Sequence, residues 1–302
     1  MTVSARIQGD DVVAVQQAAL AGLYRQHVGP GDRYALLDFP DHANVGDSAI
    51  WLGEIAMLRA ITGRDPDHVC TWDAFDADAF RLDSPAGVVF LHGGGNLGDI
   101  WPHHQRFREA MLAAFRDRTI VQLPQSIHFR AVEGLDRLAA CVDAHPDFHL
   151  YVRDARSLDL ARHLSCPVAL APDSAFALGA QPRGASDCDL LMLMRTDDER
   201  VAGDRGPVPE GAVVLDWLED GVLPLWEAGM PRAAHYERLA GARVARGLAL
   251  LSRGRQVVTD RLHAHILALL LGIPHVALDN DYGKLSAYIA AWTARSPLLL
   301  RE

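Results

Sequence analysis

The sequence predicts an α/β fold of two Rossmann-like domains whose parallel sheets face each other across a cleft. Short apolar runs bounded by turn residues alternate with stretches of helical period along the whole chain. The alternation occurs in two sets, separated at 179–187 by a stretch rich in Gly, Pro, Ser and Ala. The length of 302 residues suits two domains at about 100–200 residues each. The division falls at 1–180 and 181–302, with the boundary inside 145–187.

An amphipathic helix at 11–27 opens the chain, ahead of a strand at 34–39 and a helix at 47–61 that Asp47 or Ser48 can cap. A strand at 87–92 runs into a glycine-rich turn, followed by a helix at 104–115. Next come a strand at 119–123, a helix at 135–142, a strand at 148–152 and a helix at 155–164, and after 167–171 the pattern pauses. In the second set, strands at 190–194 and 212–217 precede a long helix at 233–252. A strand at 256–259, a helix at 262–271, a strand at 275–278 and a closing helix at 284–294 complete it. Strand and helix in alternation imply parallel pairing through right-handed crossovers.

Composition narrows the function classes. The chain is 49% hydrophobic and 23% charged, with net charge −10. That balance argues against a broad nucleic-acid or anionic-membrane surface, while leaving room for a few arginines focused on one anion. Cys70, Cys141, Cys166 and Cys188 are too widely spaced for a zinc site or a disulfide scaffold. The polar stretch at 1–11 does not read as a signal peptide, and the longest apolar run, 266–273, is too short to span a bilayer. A cytoplasmic protein is expected.

In open parallel sheets ligands bind beyond the carboxyl ends of the strands, so residues just after each strand are the informative ones. After the first strand comes His42-Ala43-Asn44-Val45-Gly46-Asp47-Ser48, where free amides at a helix start suit an anion or a sugar hydroxyl, or serve plain capping. After the strand at 87–92 comes His92-Gly93-Gly94-Gly95-Asn96-Leu97-Gly98-Asp99. Four glycines there imply close approach of main chain to a ligand or a facing element. The dinucleotide fingerprint does not fit, because the acidic residue it needs downstream is missing. Trp101, His103 and His104 follow as a stacking surface. Gln125 and Ser126, after the strand at 119–123, either bind a polar ligand or close a turn.

Arg153, Arg195 and Arg261 stand at equivalent positions just past three strands. Each alone is a salt-bridge candidate, but three together are what a substrate with both phosphate and carboxylate requires of forked donors. His263 falls in the first turn of the helix after Arg261, where a histidine beside a bound anion can act as general acid. The acidic run Asp197-Asp198-Glu199 reads as a solvated loop.

Taken in order, Asn44-x-Gly46-Asp47, His92-Gly93-Gly94-Gly95-Asn96-x-Gly98-Asp99, Pro124-Gln125-Ser126, Arg153-Asp154-x-x-Ser157, Asp173, Arg261-Leu262-His263, Gly272-x-Pro274 and Tyr282-Gly283-Lys284 resemble the polysaccharide pyruvyl transferase family across residues 34 to 290. The resemblance implies a GT-B-like fold with the active site between the domains. It implies transfer of a pyruvyl group from phosphoenolpyruvate to two hydroxyls of a sugar, giving a cyclic ketal and phosphate in cell-surface or exopolysaccharide synthesis. Phosphoenolpyruvate is then the donor substrate, with no redox cofactor and no metal. The other partner is a glycan or lipid-linked sugar, with no nucleic acid, and peripheral association with membrane-bound assembly machinery is compatible with it. His263 becomes the acid, with Arg261 beside it, and Arg153, Arg195 and Lys284 bind substrate. Asn44, Asp47, Asn96 and Asp99 form the acceptor side, and Gly94, Gly95, Gln125 and Ser126 are further substrate-binding positions. Two other readings stand beside this one: a glycosyltransferase using a nucleotide sugar, and a non-catalytic glycan-binding or assembly protein.

Overall fold

A computed structural model describes residues 7–196, 208–279 and 283–301. Its first half is one parallel sheet. Strands β1 (Tyr34–Leu37), β2 (His68–Cys70), β3 (Val88–Leu91), β5 (Ile120–His128), β6 (Phe148–Val152) and β7 (Val168–Leu170) lie in the order β2-β1-β3-β5-β6-β7. A further strand, β4 (Gly94–Gly98), pairs with β5 beyond the end of β3. Helices α1 (Ile7–Tyr24), α2 (Val45–Thr62), α3 (Ala77–Asp83), α4 (Pro102–Ala114), α5 (Val132–Ala144) and α6 (Ala155–Ala161) connect and flank these strands. The strands read as unbroken apolar runs because helices cover both faces; all four residues of β1 are buried.

A 3-10 turn at Ser174–Leu178 ends this half, and residues 179–187 cross over without regular structure. The second sheet, also parallel, has the order β11-β10-β8-β9, from β8 (Cys188–Leu193), β9 (Val213–Leu215), β10 (Gly254–Thr259) and β11 (His275–Ala277). Helix α7 (Arg232–Ser252) leads into β10, and α8 (Leu262–Leu270) follows it. The last helix, α9 (Lys284–Trp292), returns to the first half, where Trp292 Nε1 donates to the Arg153 carbonyl at 2.9 Å.

One hydrophobic core joins the halves. It contains Leu20, Trp51 and Phe176 from the first and Leu191, Val257 and Leu267 from the second. A second core, with Leu37, Phe107 and Phe115, fills the opposite face of the larger sheet. Helix α2 lies at the centre of the shared core, and two glycines permit its close packing. A Cβ at Gly53 would sit 1.9 Å from the Ser174 carbonyl oxygen, and one at Gly247 of α7 would sit 2.3 Å from Val45.

Two expectations need correction. The glycine-rich segment is a strand rather than a turn, and β5 does not stop at Leu123 but runs on to His128. Both follow from one arrangement. β3 pairs with the first part of β5 and β4 with the second, so the glycines continue the sheet past the point where apolar patterning ends. Pro124 is tolerated inside β5 because the register to β6 slips between Gln122 and Gln125. Three short elements, β2, α3 and β7, and the 3-10 turn were not expected from the pattern.

Candidate functional site

The carboxyl ends of both sheets open on one cavity of about 1100 Å³. Asn44, Asp47, Gly95, Asn96, Arg153, Arg195, Arg261 and His263 all line it, so residues from both halves of the sequence converge. The start of α2 forms its floor. Asn44 is the N-cap, its side-chain oxygen accepting from the Gly46 amide at 3.1 Å and its Nδ2 donating to Asp47 Oδ2 at 2.7 Å. Burial would raise the Asp47 carboxyl, but His42, His263, His92 and Arg153 around it hold it below the usual carboxylate range.

His263 stands in the first turn of α8, and its ring lies against the backbone of Gly46. A Cβ there would come within 2.2 Å of Nδ1. Its Nε2 is 3.2 Å from Asp173 Oδ2, an oxygen that also accepts from Arg153 NH1 at 2.6 Å. Arg153 Nε donates to Ser126 Oγ at 2.9 Å, and its NH2 abuts Gly95, where a Cβ would lie 3.1 Å away. Gly95 therefore makes room for a guanidinium. Burial alone would raise the Asp173 carboxyl, yet the charges and hydrogen bonds of His263 and Arg153, with the Ala175 amide, hold it well below the usual range. A fixed anion thus ties the histidine to the arginine across the two halves.

On the other wall, Arg261 Nε and NH2 donate to Asp216 Oδ1 and Oδ2, both at 2.7 Å. This fork–fork pair fixes the guanidinium plane. Asp216 follows β9 and also accepts from the amide and hydroxyl of Thr196. Arg195 is placed by its own amide, which donates to Asp260 Oδ1 at 2.8 Å. Trp72, Trp101, His103 and His104 form an aromatic wall on the first-half side of the cavity, with Trp101 46% exposed.

Several expected site residues lie elsewhere. Gln125 is buried, donating from Nε2 to the His92 carbonyl and to Asn96 Oδ1, so it braces the glycine-rich strand from beneath. Ser126 is an internal link between Arg153 and Asp154. Asp99 accepts from the amides of Arg130 and Ala131 at the entry to α5 and does not line the cavity. Gly94, with φ of 116°, packs toward Asp47 and Ile50. Gly98 is demanded by sheet packing, since a Cβ there would lie 1.7 Å from the His128 carbonyl oxygen. Lys284 opens α9, but its side chain lies outside the described residues, as does the run at 197–199.

The sequence reading missed Asp216 and two buried carboxylate–histidine pairs. Glu54 Oε2 is 2.7 Å from His92 Nδ1, and both oxygens of Asp38 lie within 2.9 Å of His104 Nδ1. Each pair had a faint signal. Glu54 interrupts an apolar helix face seven residues after Asp47, and Asp38 immediately follows a strand, where its φ of 73° is left-handed.

This is a parallel α/β protein in which arginines and a histidine from both halves, with an aromatic wall facing them, line a single cavity. The chain belongs to the polysaccharide pyruvyl transferase family, whose model matches residues 44–282, and it is a transferase of that family. It is 32% identical over 320 residues to a protein of Schizosaccharomyces pombe named Pyruvyl transferase 1, covering 94% of this chain and 75% of that one. EpsO of Bacillus subtilis, whose name marks it only provisionally as a pyruvyl transferase, is 29% identical over 279 residues, covering 86% of this chain and 85% of that protein. Among solved structures, a functionally uncharacterized protein of Klebsiella pneumoniae superposes with a TM-score of 0.62, covering 94% of this chain and 97% of the other. At 19% identity that likeness shows the fold alone. Among the described residues no helix is long and apolar enough to cross a membrane.

Proposed function

We propose that this chain transfers the pyruvyl group of phosphoenolpyruvate to two hydroxyls of a sugar in a surface polysaccharide or its precursor, forming a cyclic ketal and releasing phosphate. The observation that carries the reading is the convergence of Arg153, Arg195, Arg261 and His263 on one cavity, with an aromatic wall facing them. Phosphoenolpyruvate is small and carries two anionic groups, which suits forked donors from both halves. The halves act in a GT-B-like manner, residues 1–180 presenting the sugar and 181–302 most of the donor site. Neither a redox cofactor nor a metal enters the scheme, and the protein works in the cytoplasm on a glycan or lipid-linked sugar.

The chemistry begins with protonation of the donor's methylene carbon by His263, which leaves an oxocarbenium-like centre beside the carboxylate. Asp173 orients the imidazole through Nε2, as a carboxylate does for histidine in hydrolytic triads. One sugar hydroxyl adds, phosphate departs, and the second hydroxyl closes the ring. Enclosure between the sheets holds the reactants in attack geometry. Trp72 and Trp101 offer faces on which a pyranose ring stacks.

The test is incubation with phosphoenolpyruvate and a panel of glycans and lipid-linked sugars, following inorganic phosphate and a mass gain on the sugar. Turnover is expected, with His263→Ala lowering it about 10²–10⁴-fold. Neither phosphate nor mass gain across the panel, with nucleotide-sugar binding instead, overturns the reading in favour of a glycosyltransferase. Glycan binding without any turnover overturns it in favour of a binding protein.

A further inference from the structure

Resting on the phosphoenolpyruvate reading, we propose that His92, oriented by Glu54, is a second acid–base residue of the transfer: it protonates the departing phosphate and then accepts the proton of the second sugar hydroxyl.

Proton counting makes the demand. Ketal formation strips two hydrogens from sugar hydroxyls; one ends in the new methyl group and the other on hydrogen phosphate. His263 serves the first exchange, giving a proton to the methylene carbon and regaining one from the first hydroxyl. In the tetrahedral adduct the bond from the central carbon to the phosphate oxygen then breaks, and the electron pair stays on that oxygen. A proton from His92 Nε2 reaches the same oxygen, so hydrogen phosphate leaves. Attack of the second hydroxyl on the oxocarbenium carbon returns its proton to Nε2. Both histidines end as they began, and no further reactant is needed.

The structure supplies the geometry. His92 follows β3, lines the cavity and is 1% exposed. Its Nδ1 is taken by Glu54 Oε2 at 2.7 Å, and Glu54 Oε1 accepts from the Gly93 amide at 2.8 Å, so neither partner can rotate away. That leaves Nε2, which is buried and has no hydrogen-bond partner among the described residues. Buried polar atoms of this kind are normally paired, and a substrate oxygen is the partner this one lacks. The pair also sits beside the rest of the machinery. Asp47, Ile50 and Glu54 share a face of α2, and a Cβ on Gly94 would lie 3.4 Å from Asp47 Oδ1, while His263 rests on Gly46 one residue before. Burial would strip the proton from His92, but the charge and hydrogen bond of Glu54 outweigh it and raise the imidazole above its ordinary value. A buried carboxylate that holds a histidine's proton ready at a cavity wall does more than packing requires.

The test compares the full-length wild type with His92→Gln, His263→Ala and Glu54→Gln in D2O, using phosphoenolpyruvate and methyl hexopyranosides. Two signals are read: deuterium entering the vinyl position of phosphoenolpyruvate, and phosphate release. His263→Ala is expected to lose both. His92→Gln is expected to keep the exchange while phosphate release falls about 10²–10⁴-fold. Glu54→Gln, which retains the imidazole, is expected to move the alkaline limb of the phosphate-release profile to lower pH, and it carries the test should His92→Gln not fold. Phosphate release at the wild-type rate from His92→Gln, or an unmoved profile in Glu54→Gln, overturns the assignment while leaving the phosphoenolpyruvate reading intact. A wild type that neither exchanges nor releases phosphate with any sugar removes that reading, and His92's role falls with it.

Discussion

Replacing Gly46 by alanine separates the needs of the helix from those of the chemistry. Inside a helix, Gly→Ala ordinarily gains about 1 kcal/mol, because glycine loses more backbone entropy on folding. Here the new Cβ would lie 2.2 Å from His263 Nδ1, 2.5 Å from Cγ and 2.7 Å from Cβ. Ordinary contact begins at 3.4 Å, so the nearest ring atom is about 1.2 Å too close. The ring cannot recede freely, since Asp173 holds Nε2 at 3.2 Å and Arg261 and Leu262 anchor the start of α8 in the buried interior. A displacement of about 1 Å at a catalytic group is worth about 10²-fold in rate. Gly46→Ala is therefore expected to lose about two orders of magnitude in turnover. The assay is phosphate release from phosphoenolpyruvate at saturating sugar, read beside a urea melt. Gly241→Ala in α7, where a Cβ would meet nothing within 4 Å, is the control and should be stabilised with activity unchanged. Full turnover in Gly46→Ala would refute the placement of His263 as the acid pressed on this backbone.

Two further outcomes follow from the same electrostatics. Asp173→Asn removes the anion that Arg153 and His263 share while leaving a buried guanidinium unmatched. It should cost about 3–5 kcal/mol in a denaturant titration and lower turnover as well. The second concerns pH. His275 Nδ1 donates to the Ile273 carbonyl, so its Nε2 accepts from His265 Nδ1 at 2.7 Å, and His265 Nε2 in turn accepts from the Thr293 hydroxyl at 2.8 Å. Every contact of this chain is satisfied with both rings neutral. Burial lowers both below the ordinary histidine value, and it pushes His27 down to about 4. The unfolded chain therefore binds protons that the folded chain refuses. These three rings should add no pH dependence above about pH 6.5 and should lower stability below it, by up to about 1.4 kcal/mol per pH unit for each ring. Urea melts at pH 7.5, 6 and 5 measure the slope, and a His265→Gln/His275→Gln double variant should flatten it.

What the sequence disclosed and what it withheld have separate physical causes. Buried parallel strands are continuous apolar runs, so β1, β6, β8 and β10 stand out, as does the long helix α7. Residues just past those strands could be picked as site candidates because parallel topology puts every carboxyl end on the same rim. Arg153, Arg261 and His263 are picked that way, and all three line the cavity. The glycine-rich strand hid because glycines carry no pattern. What sets β4 in place is Gly98 against the His128 backbone, a long-range contact. Gln125 and Asp99 misled for a related reason: a polar residue after a strand can face a ligand or brace its neighbour, and only the fold distinguishes these. Paired partners were the hardest to see. Asp216 answers Arg261 from 45 positions earlier in the chain, and Glu54 answers His92 from 38 positions earlier. No local signal links such residues.

The contact of His263 with Gly46 also bears on how such a protein can diversify. The histidine comes from one half and its seat from the other, with Asp173 clasping Arg153 and His263 just ahead of the crossover between them. Exchange of a whole half with that of a distant relative would set two unmatched surfaces together at the reacting centre. Trp72 and Trp101, exposed on the cavity rim and with no part in that clasp, are the positions where single changes would disturb it least. On the proposed reading, the residues assigned to the donor would have to change together, whereas those assigned to the sugar could change singly.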